Sequence, residues 1–218
     1  VIAMEPDLVI VGSYQKEAYG QQLADAEIPV YYTSEGPSIA YNETKEEAIA
    51  LTRSFGTEEM VAGVEAEFAA VEARAAEYTA THASQTMMIF FHLPGSYQQT
   101  SQGYLGSMLS MLPFENLSDA LIDPSSRTAP IDVETAITQN PEVIFAISPT
   151  APDAEMLKAT YEETFAENAE LWNQLDAVAN GNIIYLSSEY VTSKGLQIVN
   201  SVNALIDLLE AKYPANVQ

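Results

Sequence analysis

The order of apolar and polar positions along the chain predicts alternating strands and helices. Short apolar, often β-branched runs are bounded by glycine, proline or polar residues, which is typical of buried strands. Longer segments repeat apolar residues every three or four positions, as amphipathic helices do. The predicted strands are residues 7–11, 28–32, 86–91, 142–147 and 183–186, and the predicted helices are residues 16–26, 44–56, 57–78, 104–112, 134–139, 153–167 and 196–212. This alternation predicts an α/β fold.

The longest predicted helix begins after Gly56. Thr57 can cap its first turn, and Thr44 and Glu47 have the spacing of a capping box for the helix before it. One apolar stripe runs along the long helix and consists of Val61, Val64, Phe68, Val71, Ala75 and Tyr78. Because the stripe is too short for a coiled coil, we expect the helix to pack along the body of the protein.

One arrangement occurs twice: a helix end, a proline, an acidic residue and then a buried strand. The two copies align when Pro6 is placed on Pro141, which also matches Asp7 with Glu142. Apolar positions on both sides of the prolines match in step. Proline ends helices in many α/β proteins, so local pattern alone can produce such a match. We favour the interpretation that the chain contains two related lobes.

Composition and charge exclude several kinds of partner. The chain has 218 residues, of which 47% are hydrophobic, and can bury a sizeable core. Eight Lys and Arg against 31 Asp and Glu give a net charge of -23, which repels nucleic acids and anionic lipid surfaces. No apolar run approaches the roughly 20 residues of a membrane span. Cysteine is absent, so disulfides and thiolate metal sites are excluded.

Several stretches carry a resemblance to a known family. The most specific is WNQLDAVANGNIIY, residues 172–185, and it is supported by residues 103–109, by Glu115 with Asn116, and by Val133 with Glu134. These stretches resemble the substrate-binding proteins of ABC importers for iron-siderophore complexes, haem and cobalamin. Taken singly, the tryptophan can be a core aromatic and the Asn-Gly step a tight turn before a strand.

The resemblance implies a fold of two Rossmann-like α/β lobes joined by one long rigid helix. Residues 1–56 would form a partial N-terminal lobe, residues 57–82 the interlobe helix, and residues 83–218 the C-terminal lobe with its C-terminal helix. Family members carry further strands before their first Pro-Asp strand, preceded by a signal peptide and often a lipid-attachment cysteine. We therefore expect a fragment with an incomplete first lobe, located outside the cytoplasm.

In such folds the ligand lies between the lobes and contacts loops at strand ends. The loops here offer Tyr14, His92, Tyr97, Arg127 and Tyr190. The tyrosines could stack on a macrocycle or ligate ferric iron, or simply pack at loop edges. The histidine could be an axial haem ligand or could hydrogen-bond locally. The arginine is predicted to grip an anionic ferric chelate or a haem propionate; its alternative is a solvent-facing loop arginine.

Other candidates for this site are weaker. The loop at residues 36–38 also follows a predicted strand, and Lys16 and Lys194 could contact an anion. His82 has no partner at metal-site spacing. No protein-bound metal and no intrinsic cofactor are predicted.

The resemblance also implies contact with a permease. In this family an acidic residue on the helix before each Pro-acid strand pairs with permease arginines. The matching residue here is Glu134, seven positions before Pro141, and the first-lobe counterpart would lie upstream of Val1. The alternative is a solvated acid that the helix dipole favours in the first turn.

These features predict a binding protein rather than an enzyme. No Gly-x-Ser-x-Gly motif, phosphate loop or dinucleotide fingerprint occurs in the sequence. The predicted function is extracytoplasmic capture of a chelated iron complex, a siderophore or haem, by a monomer that delivers it to an ABC importer permease. A cobalamin or metal-ion binding protein of the same class and an unrelated α/β enzyme acting on a small molecule are the alternatives.

Overall fold

The computed structural model describes residues 1–33, 39–93, 95–192 and 195–214. The strands in these parts are β1 (Val9–Gly12), β2 (Val30–Thr33), β3 (Gln85–Leu93), β4 (Gly95–Gln99), β5 (Phe114–Asn116), β6 (Thr128–Pro130), β7 (Val143–Ile147) and β8 (Ile183–Tyr185). The helices are α1 (Lys16–Asp25), α2 (Tyr41–Phe55), α3 (Glu58–Thr81), α4 (Tyr104–Leu109), α5 (Val133–Gln139), α6 (Ala154–Glu167), α7 (Ala169–Trp172), α8 (Asp176–Ala179), α9 (Glu189–Thr192) and α10 (Gln197–Lys212). The loop at residues 36–38 and Lys194 lie outside the described residues.

The first unit is a β-α-β arrangement. Strands β1 and β2 are parallel, with Val9 paired to Val30 and Gly12 paired to Thr33. Helix α1 connects them and buries Leu23. This confirms the β-α-β unit that the sequence predicts for the start of the chain.

The second unit is built on a six-stranded mixed sheet. Its strands follow the order β6-β4-β3-β7-β8, and β5 pairs with the first residues of β3. Strands β5, β7 and β8 are parallel to their partners, whereas β4 runs antiparallel to β3 and to β6. The chain is therefore of the α/β class, as predicted.

The central strand β3 is buried on both faces. Met87, Ile89 and Phe91 point into the larger apolar core, together with residues of α3 and α10. Met88 and Phe90 point into the second core, which contains residues of α6 and the single tryptophan, Trp172. Alternate side chains of a strand face opposite sides of its sheet, so the continuous apolar run of β3 requires helices on both sides.

Helix α3 is the long helix that the apolar stripe predicts. The Thr57 hydroxyl accepts a hydrogen bond from the Met60 N–H, so the predicted cap is confirmed. Phe68 is fully buried, and the rest of the stripe, apart from the half-buried Val61, is buried as well. Arg74 donates to Asn203 and forms ion pairs with Asp207 and Glu210, which attaches α3 to α10.

Helix α2 begins earlier than the sequence suggests. The Glu43 carboxylate accepts a hydrogen bond from the Ala40 N–H at 2.8 Å, and the helix starts at Tyr41. The predicted capping box at Thr44 is therefore wrong: this residue is buried inside the helix, and its hydroxyl donates to the Ala40 carbonyl oxygen. The capping-box spacing alone does not reveal that Thr44 lies inside the helix, where its hydroxyl bonds a backbone carbonyl of the preceding turn.

The same helix packs against the second unit. The Tyr41 ring contacts the Phe68 ring edge to face, with 5.9 Å between the centroids. The backbone N–H of Tyr41 donates to the Ser107 hydroxyl at 2.8 Å. The boundary after residue 56 stays a prediction, but these contacts favour grouping α2 with residues 57–214.

The repeated proline arrangement has the same backbone in both copies. Glu5 and Asn140, each directly before its proline, both adopt a left-handed conformation with a φ angle of 47°. Each of them ends a helical turn, and a parallel strand follows within four residues. The first copy ends a short 3-10 turn (Ile2–Met4) rather than an α-helix. The common backbone supports the interpretation of two related lobes.

Among the described helices, none combines the length and the apolar character that a bilayer span needs.

We expect Phe68→Ala to lower the free energy of unfolding by about 3–5 kcal/mol, because it removes a fully buried ring at the junction of α2, α3 and the sheet. Urea unfolding followed by circular dichroism measures the change. Glu67→Ala, an exposed neighbour on the same helix, is the control and should change stability by less than about 0.5 kcal/mol. Equal losses in the two variants would contradict the buried position of the Phe68 ring.

Candidate ligand-binding site

The carboxyl ends of β3, β7 and β8 lie at one edge of the second sheet. Parallel strands place the residues that follow them at the same edge, where ligands bind in open α/β sheets. The residues at this edge are His92, Ser148, Thr150, Ser187 and Glu189, and we call them the strand-end rim.

Hydrogen bonds hold the polar groups of the strand-end rim in place. The Ser148 and Thr150 hydroxyls lie 2.9 Å apart, and the Ser187 hydroxyl donates to a Glu189 carboxylate oxygen at 3.0 Å. Sequence reasoning missed the serines and the threonine. Their signal is a Ser-Pro-Thr or Ser-Ser-Glu sequence directly after a buried strand.

His92 and Tyr97 project from opposite faces of the sheet. His92 pairs with Ser96 and shares the face of Phe90, whereas Tyr97 pairs with Phe91 and packs against the larger core. The His92 ring lies edge-on to the Tyr161 ring, with 5.9 Å between the centroids. The two predicted ligand contacts therefore lie on opposite faces of the sheet, near the same edge.

A buried phenol lies beneath the rim. Tyr161, in the middle of α6, is only 2% exposed, and its hydroxyl has no hydrogen-bond partner within the described parts of the chain. Burial raises the pKa of this phenol well above its usual range, and the nearby Tyr185 adds to the effect. Sequence reasoning missed Tyr161 because its helical spacing with Leu157 and Phe165 is that of an ordinary core residue.

Tyr190 has a different position from the one predicted. Its side chain is 5% exposed and belongs to the larger core, where α9 packs against α4. Burial, with Glu189 and Asp207 nearby, raises the pKa of Tyr190 to about 12. This buried environment favours the packing alternative for Tyr190 over a ligand contact.

Arg127 also differs from its predicted role. One of its guanidinium nitrogens lies 2.9 Å and 3.0 Å from the two carboxylate oxygens of Glu43, and a groove of about 310 Å³ adjoins the pair. The Thr100 N–H donates to the Arg127 carbonyl oxygen, and Thr100 lies four residues along the chain from Ser96, the partner of His92. The Arg127 backbone is therefore roughly 13 Å from the level of His92 along the strand direction. An anionic ligand would compete with the Glu43 carboxylate for this guanidinium.

The pair changes the titration of its carboxylate. Burial alone would raise the pKa of Glu43, but hydrogen bonds from Arg127 and from the Ala40 N–H outweigh it and hold the pKa below its usual 4.5. The folded state therefore favours the ionised carboxylate.

Tyr14 lies at the corresponding strand end of the first unit. It follows β1 in a short 3-10 turn (Ser13–Gln15), is 64% exposed, and accepts a hydrogen bond from the Gln15 amide at 3.0 Å. The next residue, Lys16, places its ammonium 5.3 Å from the centre of the Tyr32 ring. Tyr14 is thus exposed at a strand end, and its contact with a ligand stays a prediction.

Glu134 is exposed in the first turn of α5. Its N–H donates to the Asp132 carboxylate, which caps the helix, and its own carboxylate is the group predicted to contact a permease. The described residues contain no group of three or more His, Cys, Asp or Glu arranged to hold a metal ion.

Comparison with known proteins identifies the family. A family model described as periplasmic binding protein matches residues 1–190. The chain belongs to the periplasmic binding protein family. This confirms the resemblance that the sequence motifs carry, and no curated protein sequence matches the chain.

Solved structures of periplasmic binding proteins have a similar fold. An ABC transporter substrate-binding protein from Listeria monocytogenes EGD-e has a TM-score of 0.76 at 18% identity, covering 94% of this chain and 76% of that one. IsdE of S. aureus complexed with heme has a TM-score of 0.74 at 16% identity, covering 94% and 78%. The periplasmic vitamin B12 binding protein BtuF of Vibrio cholerae has a TM-score of 0.64 at 12% identity, covering 98% and 77%.

We expect Glu43→Gln to destabilise the protein at neutral pH and to lose this effect in acid. The folded-state pKa lies below 4.5, so the contribution is present above that pH and disappears as the pH falls through the lower folded value. Urea unfolding of both proteins between pH 7 and pH 3 measures the difference. Glu46→Gln, an exposed change on the same helix, is the control, and a difference that persists unchanged to pH 3 would contradict the Glu43–Arg127 pair.

Proposed function

We propose that the chain is the extracytoplasmic substrate-binding component of an ABC importer and that it captures a chelated iron complex, a siderophore or haem. The observation that carries the proposal is the strand-end rim, which gathers hydroxyl, imidazole and carboxylate groups at the edge where this class of fold binds ligands. Family membership, a neighbour that is an ABC transporter substrate-binding protein, and a neighbour that is complexed with heme support it.

The proposed mechanism is binding between two units followed by a small closure. The rim supplies one wall, with His92 and Tyr97 on its two sides, and the exposed Tyr14 of the first unit supplies a contact on the other. Helix α3 is about 36 Å long and packs along the second core, so it resists bending. Closure is then a hinge motion of limited amplitude around a stiff helix.

Two alternative functions differ from this proposal, one in the ligand that is bound and the other in whether the bound compound is turned over. Cobalamin is the second candidate, because a neighbour of the same fold is a vitamin B12 binding protein. An enzyme is the less favoured class, because the family consists of binding proteins. We propose that binding occurs without catalysis.

Delivery of the ligand would use an acidic contact with the permease. Glu134 is exposed in the first turn of α5, and within the described parts of the chain no ion pair joins it to a lysine or arginine, so its charge is available to a permease arginine. The proposed site of action is the outer side of the cell membrane, with a monomer as the binding unit.

A ligand panel tests the binding proposal. Haemin, ferrioxamine B and cyanocobalamin are titrated by thermal shift and by isothermal calorimetry, because a ligand that binds only the folded state raises the melting temperature. We expect one iron chelate to bind, and we expect His92→Gln to weaken its binding about tenfold, which corresponds to about 1.4 kcal/mol.

His82→Gln is the matched control for this experiment. The His82 ring nitrogens lie 2.8 Å and 3.0 Å from the carbonyl oxygens of Tyr78 and Tyr213, before the start of β3 and away from the rim. We expect this variant to lower stability and to leave affinity unchanged. Binding of cyanocobalamin alone would favour the second candidate, and turnover of a bound compound would favour an enzyme.

We expect Glu134→Ala to reduce uptake of the radiolabelled iron chelate at least severalfold in cells that carry the permease, without changing ligand affinity. Loss of one charge pair at a docking surface weakens the complex but leaves the ligand site intact. Glu155→Ala, an exposed acid in the first turn of α6, is the control. Uptake that is equal in the two variants would contradict the permease contact.

A further inference from the structure

The charge around the strand-end rim restricts the kind of iron chelate that the protein can bind. Ferric chelates differ in net charge. Three hydroxamate groups neutralise Fe³⁺, whereas three catecholates leave the complex strongly negative, and the two propionates make haem an anion. The positive groups available to an anion therefore decide between these classes.

Most of the positive charge in the described parts of the chain is engaged in internal ion pairs. The shortest N–O distances are 2.6 Å for Lys45–Glu72, 3.1 Å for Arg53–Glu65, 2.9 Å for Arg127–Glu43 and 3.8 Å for Lys158–Glu162, and Arg74 binds both Asp207 and Glu210. All three arginines of the sequence are in this set. Arginine is the residue that binds a carboxylate in a bidentate manner. Because all three arginines are engaged in ion pairs, none is held ready for an anion at the rim.

The other two lysines of the described residues, Lys16 and Lys212, are not part of the strand-end rim, although Lys16 follows Tyr14 by two positions. Lys212 is 5.7 Å from the Tyr213 ring and lines a groove with Gln85, at the opposite edge of the sheet from the rim. Lys16 lies over Tyr32 in the first unit. Lys194 is outside the described residues.

The rim itself carries negative charge. Glu189 is exposed at the end of β8, and Asp153, which caps α6 by accepting from the Met156 N–H at 2.8 Å, lies just after β7. Glu162 is close enough to Tyr185, the last residue of β8, to raise its pKa. Lys158, one turn into α6, forms an ion pair with Glu162.

Both local and long-range electrostatics therefore oppose an anionic ligand here. An anion that leaves water needs a fixed positive partner, since burial of an unpaired charge costs several kcal/mol. The net charge of -23 adds a repulsive field during approach, although salt screens it beyond about 8 Å. A chelate without negative charge meets neither obstacle.

We propose that the ligand is a neutral or cationic ferric chelate of the tris-hydroxamate type, and not a catecholate complex or haem. The inference rests on the proposed function and narrows its ligand. Hydroxamate carbonyl oxygens accept hydrogen bonds, so the serine and threonine hydroxyls and the His92 imidazole can hold them, while Tyr97 and Tyr14 offer apolar ring surfaces.

Four chelates of different charge test the inference by calorimetry on the 218-residue chain. They are ferrichrome, which is neutral, ferrioxamine B, which is cationic, ferric enterobactin and haemin, which are anionic. We expect ferrichrome or ferrioxamine B to bind at least tenfold more tightly than either anion. A higher salt concentration should weaken ferrioxamine B and leave ferrichrome unchanged, because screening acts only on the charged ligand.

Glu189→Gln separates the charge of the rim from the total charge of the protein. We expect it to weaken ferrioxamine B by roughly two- to fivefold more than it weakens ferrichrome, because only the cationic ligand loses an exposed charge pair. Glu46→Gln, an exposed change on α2, alters the net charge equally and should leave both ligands unchanged.

The outcomes distinguish this inference from the proposed function. Tightest binding of ferric enterobactin or haemin would overturn the inference and leave the iron-chelate function standing. Failure of all four chelates to bind would overturn the iron-chelate function as well. An equal loss of ferrioxamine B affinity in the Glu189 and Glu46 variants would show that the total charge, and not the rim, sets the preference.

Discussion

The need to bury both faces of β3 determines most of this structure. Its five central residues are apolar without interruption, so neither face can be left to water. Helices α3 and α10 cover one side, and α6 with the short helices around Trp172 covers the other. Because β7 lies parallel beside β3 and β8 lies parallel beside β7, the residues that follow all three strands gather at one edge. The candidate ligand site is thus a consequence of how the core is covered.

Local pattern was sufficient to predict the longer helices and strands, and motif resemblance was sufficient to indicate the family. The apolar run of β3, the stripe of α3 and the paired Pro6 and Pro141 arrangements depend on neighbouring residues only, and each has a counterpart in the structure. The three-residue strands β5 and β6 escaped prediction because a sheet edge, and not their own sequence, makes them strands. Strand β4 escaped because its polar residues, Gln98 and Gln99, are buried through hydrogen bonds to distant groups.

The candidate site could be predicted only in part, because side-chain roles depend on contacts distant in sequence. His92 was correctly placed at a strand end, but its face of the sheet follows from register. Arg127 lies 84 positions from Glu43 in the sequence, and no local signal announces their pairing. Tyr190 is buried because α9 packs against α4, which is again a tertiary fact. Scarce arginines in an acidic chain are drawn into pairs of this kind.

The position of Trp172 gives the molecule a built-in optical reporter. It is the sole tryptophan, and its ring lies 6.1 Å from Phe90 and 5.1 Å from Phe165, in the core on the same side of the sheet as His92. A ferric chelate bound at the rim would absorb at wavelengths where the indole emits and would quench its fluorescence by resonance energy transfer. Occupancy of the site could then be followed by the fluorescence lifetime of Trp172 in the unlabelled protein, because no other tryptophan contributes to the emission.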